Sequence, residues 1–256
     1  MIKKSFWKLF TLIDARLKFP NLKKGDIGIQ LGFDMTAPLT SDLFTMYKKV
    51  NPKGKIIGID PDPFNHQIAL EIINKKKYNI DLIQKGTYSK KDITKFMIGE
   101  KSSWNQLKNV PKDSTVLFTG REMDVEIDKL DSIIEQVNIN IKDISHINIT
   151  INGAEYDTLI GMDKVLSESK NLSLTVIAGR HDESGTINGK PDYELIIPLL
   201  HSYGFITKFK RMNQLFWWGF IVKCLLNRQW IYNQPNFGVI MAVKGSKKLK
   251  WYQSFS

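Results

Sequence analysis

Glycine and acidic residues follow the first two strand-like apolar runs of the sequence. The first run ends in IQLGFDM, which places Gly32 and Asp34 after it, and the second ends in IGIDPDP, which places Asp60 after it. Glycine lets the backbone turn sharply and approach a ligand closely. An ionised carboxylate only accepts hydrogen bonds, so Asp60 suits the two ribose hydroxyls of a nucleoside. The spacing predicts a nucleoside site, and the alternative is a solvated loop acid.

The loop after the first run indicates which nucleoside would bind. Residues 32–36 read GFDMT and hold no second or third glycine. A pyrophosphate needs exposed amides at a helix N-terminus, and both Phe33 and Asp34 oppose it. S-adenosylmethionine has an adenosine without phosphates, and its ammonium and sulfonium groups suit Asp34. The sequence therefore predicts S-adenosylmethionine as the cofactor and disfavours an NAD-type oxidoreductase.

Alternating strand and helix patterns must position these residues. DIGIQL, KIIGID, NIDLIQ, HINITI and LSLTVIAG read as strands, with helical stretches between them. This alternation predicts an α/β fold with a mostly parallel sheet and helices on both faces. The late strands GFITKFK and FGVIMAV lack an ordinary crossover helix and are expected to form an antiparallel edge pair. Residues 90–121 fit neither pattern clearly.

Three segments, in this order, resemble a known family. IQLGFDMT, IDPDP and INITINGAE are similar to the I-D-x-G-A-N-x-G, E-P-x-P and I-K-I-D-x-E-G-A-E segments of FkbM-type S-adenosylmethionine-dependent O-methyltransferases. GTYS and VEIDKLDSII also resemble family segments, and the resemblance runs from about residue 23 to 210. It implies a Rossmann-like class I methyltransferase sheet and methyl transfer to a hydroxyl oxygen, on a sugar, glycan or related small molecule. The cofactor-binding residues expected from it are Gln30, Gly32, Asp34, Asp60 and Thr87.

The chain departs from the family pattern at several acidic positions. Gln30 and Thr150 stand where the pattern has aspartate, Asn152 where it has glutamate, and Asn148 where it has lysine. A second register, with Asp26 opening the first motif, stays open, although the register from Gln30 keeps KKGD as the turn before the strand. The alternative to an enzyme is therefore a catalytically inactive methyltransferase-fold binding or scaffold protein.

Two residues are candidates for contact with the substrate. His181 lies in VIAGRHDES, just past the carboxyl end of a strand and beside Asp182, where a base would serve proton removal. Asn152 could exchange a hydrogen bond with the substrate. The alternatives are an exposed loop histidine and, at the Gly-Ala-Glu corner, a helix start that Glu155 stabilises.

Composition limits the remaining classes of function. Lys and Arg number 37 against 26 Asp and Glu, a net charge of +11 that favours polyanions without selecting one. We find no strong nucleic-acid signal, no phosphate-binding loop and no metal-ligand spacing. The single cysteine, Cys224, cannot form an internal disulfide, so we expect a cytoplasmic protein. The sequence does not indicate an oligomeric state.

Two segments, one near the N-terminus and one at 215–222, have a possible membrane role. Residues 1–24 predict an N-terminal amphipathic helix, and 25–256 a methyltransferase-like domain with an apolar insertion near 212–235. Residues 3–18 and the run LFWWGFIV at 215–222 keep peripheral contact with the inner membrane face open. The alternatives are a helix against a sheet edge and, for 215–222, a lid, a dimer contact or core.

Overall fold

The computed structural model describes residues 19–36, 38, 41–111, 116–179, 187–211 and 238–250. The strands are β1 (Ile27–Leu31), β2 (Lys55–Ile59), β3 (Ile80–Ile83), β4 (Gly86–Thr87), β5 (Asp92–Gly99), β6 (Gln106–Leu107), β7 (Phe118–Asp128), β8 (Ile144–Ile149), β9 (Ser173–Ala178), β10 (Ile206–Arg211) and β11 (Gly238–Val243). The α-helices are α1 (Asp42–Val50), α2 (Pro63–Lys76), α3 (Leu130–Gln136), α4 (Glu155–Ile160), α5 (Asp163–Glu168) and α6 (Tyr193–Ser202).

Seven strands form one sheet in the order β3-β2-β1-β8-β9-β11-β10. All are parallel except β11, which runs antiparallel to both β9 and β10. The central strands are rich in isoleucine and valine and are buried on both faces, as expected for parallel strands covered by helices. The predicted Rossmann-like sheet and its antiparallel edge pair are confirmed.

Helices cover both faces of this sheet. One core holds residues of α3, α4, α5 and α6 against the strands, and a second core holds residues of α1 and α2 with Phe19 and Leu22. The sheet order reverses between β1 and β8, since the chain leaves outward through β2 and β3 and returns to the other side of β1. Open α/β sheets bind ligands beyond the carboxyl ends of the strands at such a point.

The segment 90–121, which the sequence left unassigned, contributes β5, β6 and the start of β7 to a second, smaller sheet. Its order is β4-β7-β5-β6, and β5 and β7 pair antiparallel over most of their length. Residues 102–111, which we call the strap, include a single 3₁₀ turn, Ser102–Trp104, and the short strand β6. Side-chain hydrogen bonds described below connect the strap with the carboxyl edge of the large sheet.

Some boundaries differ from the sequence prediction. The single helix expected over EYDTLIGMDKVL is two short helices, α4 and α5, which are separated at Gly161. A Cβ at Gly161 would meet the carbonyl oxygen of Tyr88, so a close backbone contact lies at this break. Residues 19–24 of the expected N-terminal helix lie in turns, and residues 1–18 and 212–237 lie outside the described residues. Within the described segments, no helix combines the length and apolar character needed to cross a membrane.

Candidate active site

Three strand ends meet where the sequence predicted a ligand. β1 pairs in parallel with both β2 and β8, so the loops that follow these three strands are neighbours. Gly32 follows β1 with a φ of +71°, and a Cβ added there would lie 2.7 Å from the carbonyl oxygen of Thr150 and 2.8 Å from Cγ2 of Ile151. Both the dihedral angle and the close backbone approach require glycine at this position.

Asp60 joins the loops after β1 and β2. Its Oδ2 accepts the backbone N–H of Phe33 at 2.8 Å, and its Oδ1 accepts that of Asp62 at 2.8 Å. Desolvation by burial, with repulsion from Asp62, raises the pKa of Asp60 from 3.8 to about 7, although these amides and the Asn65 side chain oppose the shift. A carboxylate offers about four acceptor positions, so Asp60 keeps capacity for one further donor such as a ribose hydroxyl.

Asp34 lies in the same loop but faces its own backbone. Its Oδ1 accepts the N–H of Thr36 at 2.9 Å, and the Thr36 hydroxyl lies 2.8 and 2.7 Å from the two carboxylate oxygens. The side chain is partly exposed, so its negative charge still acts on the edge of the sheet. Asp34 therefore shapes the loop, and its predicted contact with the cofactor stays a prediction.

One hydrogen-bonded cluster next to Gly32 joins Gln30 with Asn148, which lies in β8, and with Thr150, which follows β8. Nε2 of Gln30 donates to the carbonyl oxygen of Gly32 at 2.6 Å and to Oγ1 of Thr150 at 2.8 Å. Nδ2 of Asn148 donates to Oε1 of Gln30 at 2.7 Å and to Oδ2 of Asp42 at 3.1 Å. Three of the four neutral residues that stand at charged positions of the family pattern are thus joined by hydrogen bonds through Gln30. Through its bond to the Gly32 carbonyl, Gln30 stabilises the loop that follows β1.

Thr87 is buried at the end of β4. Its Oγ1 lies 3.0 Å from Oγ1 of Thr158 in α4, and the Thr158 hydroxyl also lies 2.9 Å from the carbonyl oxygen of Thr87, as a donor. This contact ties the small sheet to the helix that follows β8. The structure therefore gives Thr87 a cross-linking contact, and its role toward the cofactor stays a prediction.

Asn152, predicted to face the substrate, contacts the strap. Its Nδ2 donates to the carbonyl oxygens of Ser103 at 2.9 Å and Asn105 at 2.7 Å. The next residue, Gly153, has a φ of +88°, and a Cβ there would lie 2.7 Å from the carbonyl oxygen of Pro111. The end of β8 therefore lies directly against the strap.

The opposite side of the strap is tied to the loop after β2. Nδ2 of Asn105 donates to Oδ2 of Asp62 at 2.8 Å, and the Ser102 hydroxyl donates to Oδ1 of Asn65 at 3.0 Å. Oδ1 of Asn65 also accepts the backbone N–H of Met35 at 3.0 Å. Because β1 lies between β2 and β8, the strap spans the end of β1.

Four members of this network were not singled out from the sequence: Asp62, Asn65, Ser102 and Asn105. Asp62 had a signal, since IDPDP carries a second acid two residues after Asp60. The others had none, because Asn65 lies in an ordinary helical stretch and the strap belongs to the segment without a clear pattern. His181, the other predicted catalytic residue, lies outside the described residues, and so do Arg180 and Asp182.

Five carboxylates belong to described residues at or near these strand ends. They belong to Asp34, Asp42, Asp60, Asp62 and Glu155. In the described part of the chain, no lysine or arginine forms an ion pair with Asp60 or Asp62. Such an edge favours a ligand that carries positive charge and donates hydrogen bonds, which fits the ammonium, sulfonium and ribose of S-adenosylmethionine. No group of three potential metal ligands occurs among the described residues.

Solved structures of several methyltransferases are similar to this chain. A putative sarcosine dimethylglycine methyltransferase from Galdieria sulphuraria shares 10% identity, covers 97% of this chain and 89% of its own, and has a TM-score of 0.48. Aeropyrum pernix fibrillarin, in complex with S-adenosyl-L-methionine, shares 12% identity over 93% and 76%, with a TM-score of 0.47. A SAM-dependent methyltransferase from Aquifex aeolicus shares 15% identity over 91% and 90%, with a TM-score of 0.42. No curated protein sequence matches the chain significantly.

One family model matches a range of residues that includes most of the large sheet and the whole small sheet. Residues 26–207 match the model of the methyltransferase FkbM domain, from the residue before β1 into β10. The matched range contains Gly32, Asp60, the strap and Asn152. The chain therefore belongs to the FkbM methyltransferase family.

Proposed function

We propose that this chain transfers a methyl group from S-adenosylmethionine to a hydroxyl oxygen of a sugar, glycan or related small molecule. Family membership makes the protein a methyltransferase with S-adenosylmethionine as its cofactor. The oxygen acceptor and its class are the proposed part, and they rest on the resemblance to FkbM-type O-methyltransferases. When bound, S-adenosylmethionine supplies a methyl group that is activated by the positive charge on its sulfur.

The observation that carries the proposal is the pairing of Gly32 with Asp60 at adjacent strand ends. Gly32 allows a backbone approach that no other residue permits, and Asp60 keeps a free acceptor position in a buried setting. Acceptor capacity next to a glycine turn is what binding of a ribose requires. We propose that Asp60 accepts a ribose hydroxyl and that the carboxylates around it attract the cationic part of the cofactor.

Transfer to a hydroxyl releases a proton, which a base must accept. His181 is the proposed base, because it follows β9 by three residues in sequence and β9 ends beside β8 at the same edge. The strap contributes by covering the end of β1, which limits the access of water to the reacting atoms.

The first experiment tests cofactor binding. Titration calorimetry with S-adenosylmethionine is expected to give micromolar binding in the wild type, and the Asp60→Ala variant is expected to bind about a hundredfold more weakly. Asp81→Ala is the matched control, because Asp81 is the second residue of β3, near the amino ends of the strands, and pairs with Lys55. Wild-type binding by Asp60→Ala would contradict the site. Binding of NAD instead would support an oxidoreductase, and binding of neither would support a catalytically inactive methyltransferase-fold binding or scaffold protein.

The second experiment tests the acceptor. The protein is incubated with a methyl-labelled cofactor and pairs of sugars that differ only in one hydroxyl or one carboxyl group. We expect label in a product that survives mild base, since methyl ethers resist conditions that hydrolyse methyl esters. Label that is lost in base would place the methyl group on a carboxylate and overturn the hydroxyl acceptor. The His181→Gln variant should lower turnover with little change in cofactor affinity.

A further inference from the structure

We infer that Asn152 is a positioning residue that latches the strap over the end of β1. The strap has a second attachment, to the loop after β2. The consequence for cofactor exchange rests on the proposed function, whereas the latch itself is a property of the ligand-free protein.

The first step concerns the donors of Asn152. A carboxamide nitrogen carries two hydrogens. Both are accounted for by the carbonyl oxygens of Ser103 and Asn105, at 2.9 and 2.7 Å. Asn152 therefore cannot donate a hydrogen bond to cofactor or acceptor while the strap is in place. Its amide group holds the backbone of the strap instead.

The second step compares this attachment with the one across β1. Asn105 donates to the carboxylate of Asp62, and both side chains are buried, at 9% and 5% exposure. A hydrogen bond to a charged acceptor is about twice as strong as one between neutral groups, so the bond to Asp62 is comparable with the two neutral bonds from Nδ2 of Asn152. On the β8 side, Leu107 and Val110 of the strap also pack with Ala154 in one apolar cluster. The strap is therefore held on both sides of β1.

The third step concerns the fit of the strap against Gly153. A Cβ at this position would lie 2.7 Å from the carbonyl oxygen of Pro111 and 2.8 Å from Nε2 of Gln106. The strap thus lies close to the backbone of the β8 loop for several residues. This close fit and the bonds of Asn152 together hold the strap against the loop after β8.

Hydrogen exchange in the ligand-free, full-length protein tests the latch. The backbone amides of Trp104, Asn105 and Lys108 are hydrogen-bonded within the small sheet and its turn, so their exchange reports strap opening. Asn152→Asp keeps the shape of the side chain but turns a carboxylate toward two carbonyl oxygens. We expect these amides to exchange about tenfold faster or more. Asn152→Ala, which removes the donors without adding charge, should give a smaller increase.

Asn109→Asp is the matched control. Asn109 is an exposed strap residue whose only recorded partner among the described residues is Oγ1 of Thr94 at the long distance of 3.4 Å. The same chemical change there should leave exchange of the strap within about twofold of the wild type. Unchanged exchange in both Asn152 variants would overturn the inference. Faster exchange in β1 and β8 to the same extent as in the strap would also overturn it, since it would show a general loss of stability.

A kinetic measurement links the latch to the proposed function. Stopped-flow binding of S-adenosylhomocysteine is expected to show faster association and faster dissociation in Asn152→Asp than in Asn109→Asp. Faster strap exchange with unchanged binding kinetics would keep the latch but overturn its part in cofactor exchange. Absence of binding in the wild type would refute the proposed function and leave the exchange result standing.

Discussion

The two ends of the parallel strands in the large sheet, which we call its amino edge and its carboxyl edge, bury polar groups in different ways. At the amino edge, His146 is buried with its Nδ1 2.8 Å from the Ser173 hydroxyl, and Lys247 lies 3.9 Å from the carboxylate of Asp26. At the carboxyl edge, Asp60 is buried with backbone amides as partners, and burial raises its pKa to about 7. At both edges these groups have hydrogen-bond or ionic partners, but only at Asp60 does burial raise the pKa of a carboxyl group as far as about 7, which favours its neutral form. Such unfavourable burial clusters at functional sites.

The largest expected effect is the pH dependence that this burial imposes. The pKa of Asp60 is about 7 in the folded state, against a reference value of 3.8. Between these two pH values, Asp60 keeps a proton in the folded state that it has lost in the unfolded state. The free energy of unfolding should therefore fall as pH rises from about 4 to about 7, by something of the order of 4 kcal/mol. Urea unfolding across this range, with Asp60→Asn as reference, isolates the contribution. If the free energy of unfolding changed with pH in the same way in both proteins, folding would not raise the pKa of Asp60.

A second prediction compares two glycines in order to separate the cost of a positive φ from the cost of a steric clash with neighbouring backbone. Gly32→Ala places a Cβ at a φ of +71° and 2.7 Å from a backbone carbonyl oxygen, whereas Gly120→Ala has a φ of +78° with no atom within 4 Å. We expect a loss of about 3 kcal/mol at Gly32 and about 1 kcal/mol at Gly120, measured by chemical denaturation. Cofactor affinity should fall only for Gly32→Ala. Equal losses of stability would show that the β1 and β8 loops separate easily.

Removal of one hydroxyl at each edge compares the edges directly. Thr150→Val removes the group that bonds Gln30 and the Gly32 carbonyl, and Ser173→Ala removes one partner of His146. Each should cost about 1 kcal/mol of stability, since each removes hydrogen bonds between groups that are at least partly buried. Calorimetry should show weaker cofactor binding for Thr150→Val alone, because only that hydroxyl supports the Gly32 loop. Weaker binding for Ser173→Ala would contradict the division between the edges.

The smallest effect is expected at the Asp26–Lys247 pair of the amino edge. The two side chains are 21% and 13% exposed, and their charged atoms are 3.9 Å apart. Asp26→Asn should change the free energy of unfolding by less than about 1 kcal/mol, and high salt should reduce the difference. Cofactor affinity should stay at the wild-type value. A large loss of affinity would mean that the amino edge communicates with the strand ends.

Local patterns were sufficient for most of the fold. β-branched runs such as those of β2 and β8 predict buried strands, and the turn after each strand was visible as Gly32 or as Asp60 with its prolines. The split at Gly161 was not predictable, because the helical pattern continues across it and the break coincides with a contact to distant Tyr88. The small sheet was missed for a related reason: β5 and β7 are joined by a long connection, and their pairing is not a short-range signal.

The candidate site was predictable only in part. Gly32 and Asp60 follow strands directly, and strand ends are where such sheets bind ligands. The partners of Asn152 were not predictable, since Ser103 and Asn105 precede it by more than forty residues and approach it only through the second sheet. The same holds for Gln30, whose contact with Thr150 joins two strands that are adjacent in space and remote in sequence.

The sequence by itself determined the family, the sheet with its antiparallel edge pair and the two residues most suited to a nucleoside, because periodicity and local turn chemistry are written in neighbouring positions. Only the tertiary structure decided what the polar residues contact. It placed Asn148 and Thr150 in one hydrogen-bonded cluster with Gln30, and it brought the side chain of Asn152 against the strap. The physical reason is that a hydrogen-bond partner is set by distance in space, and in a parallel sheet the nearest strands are joined by long crossovers.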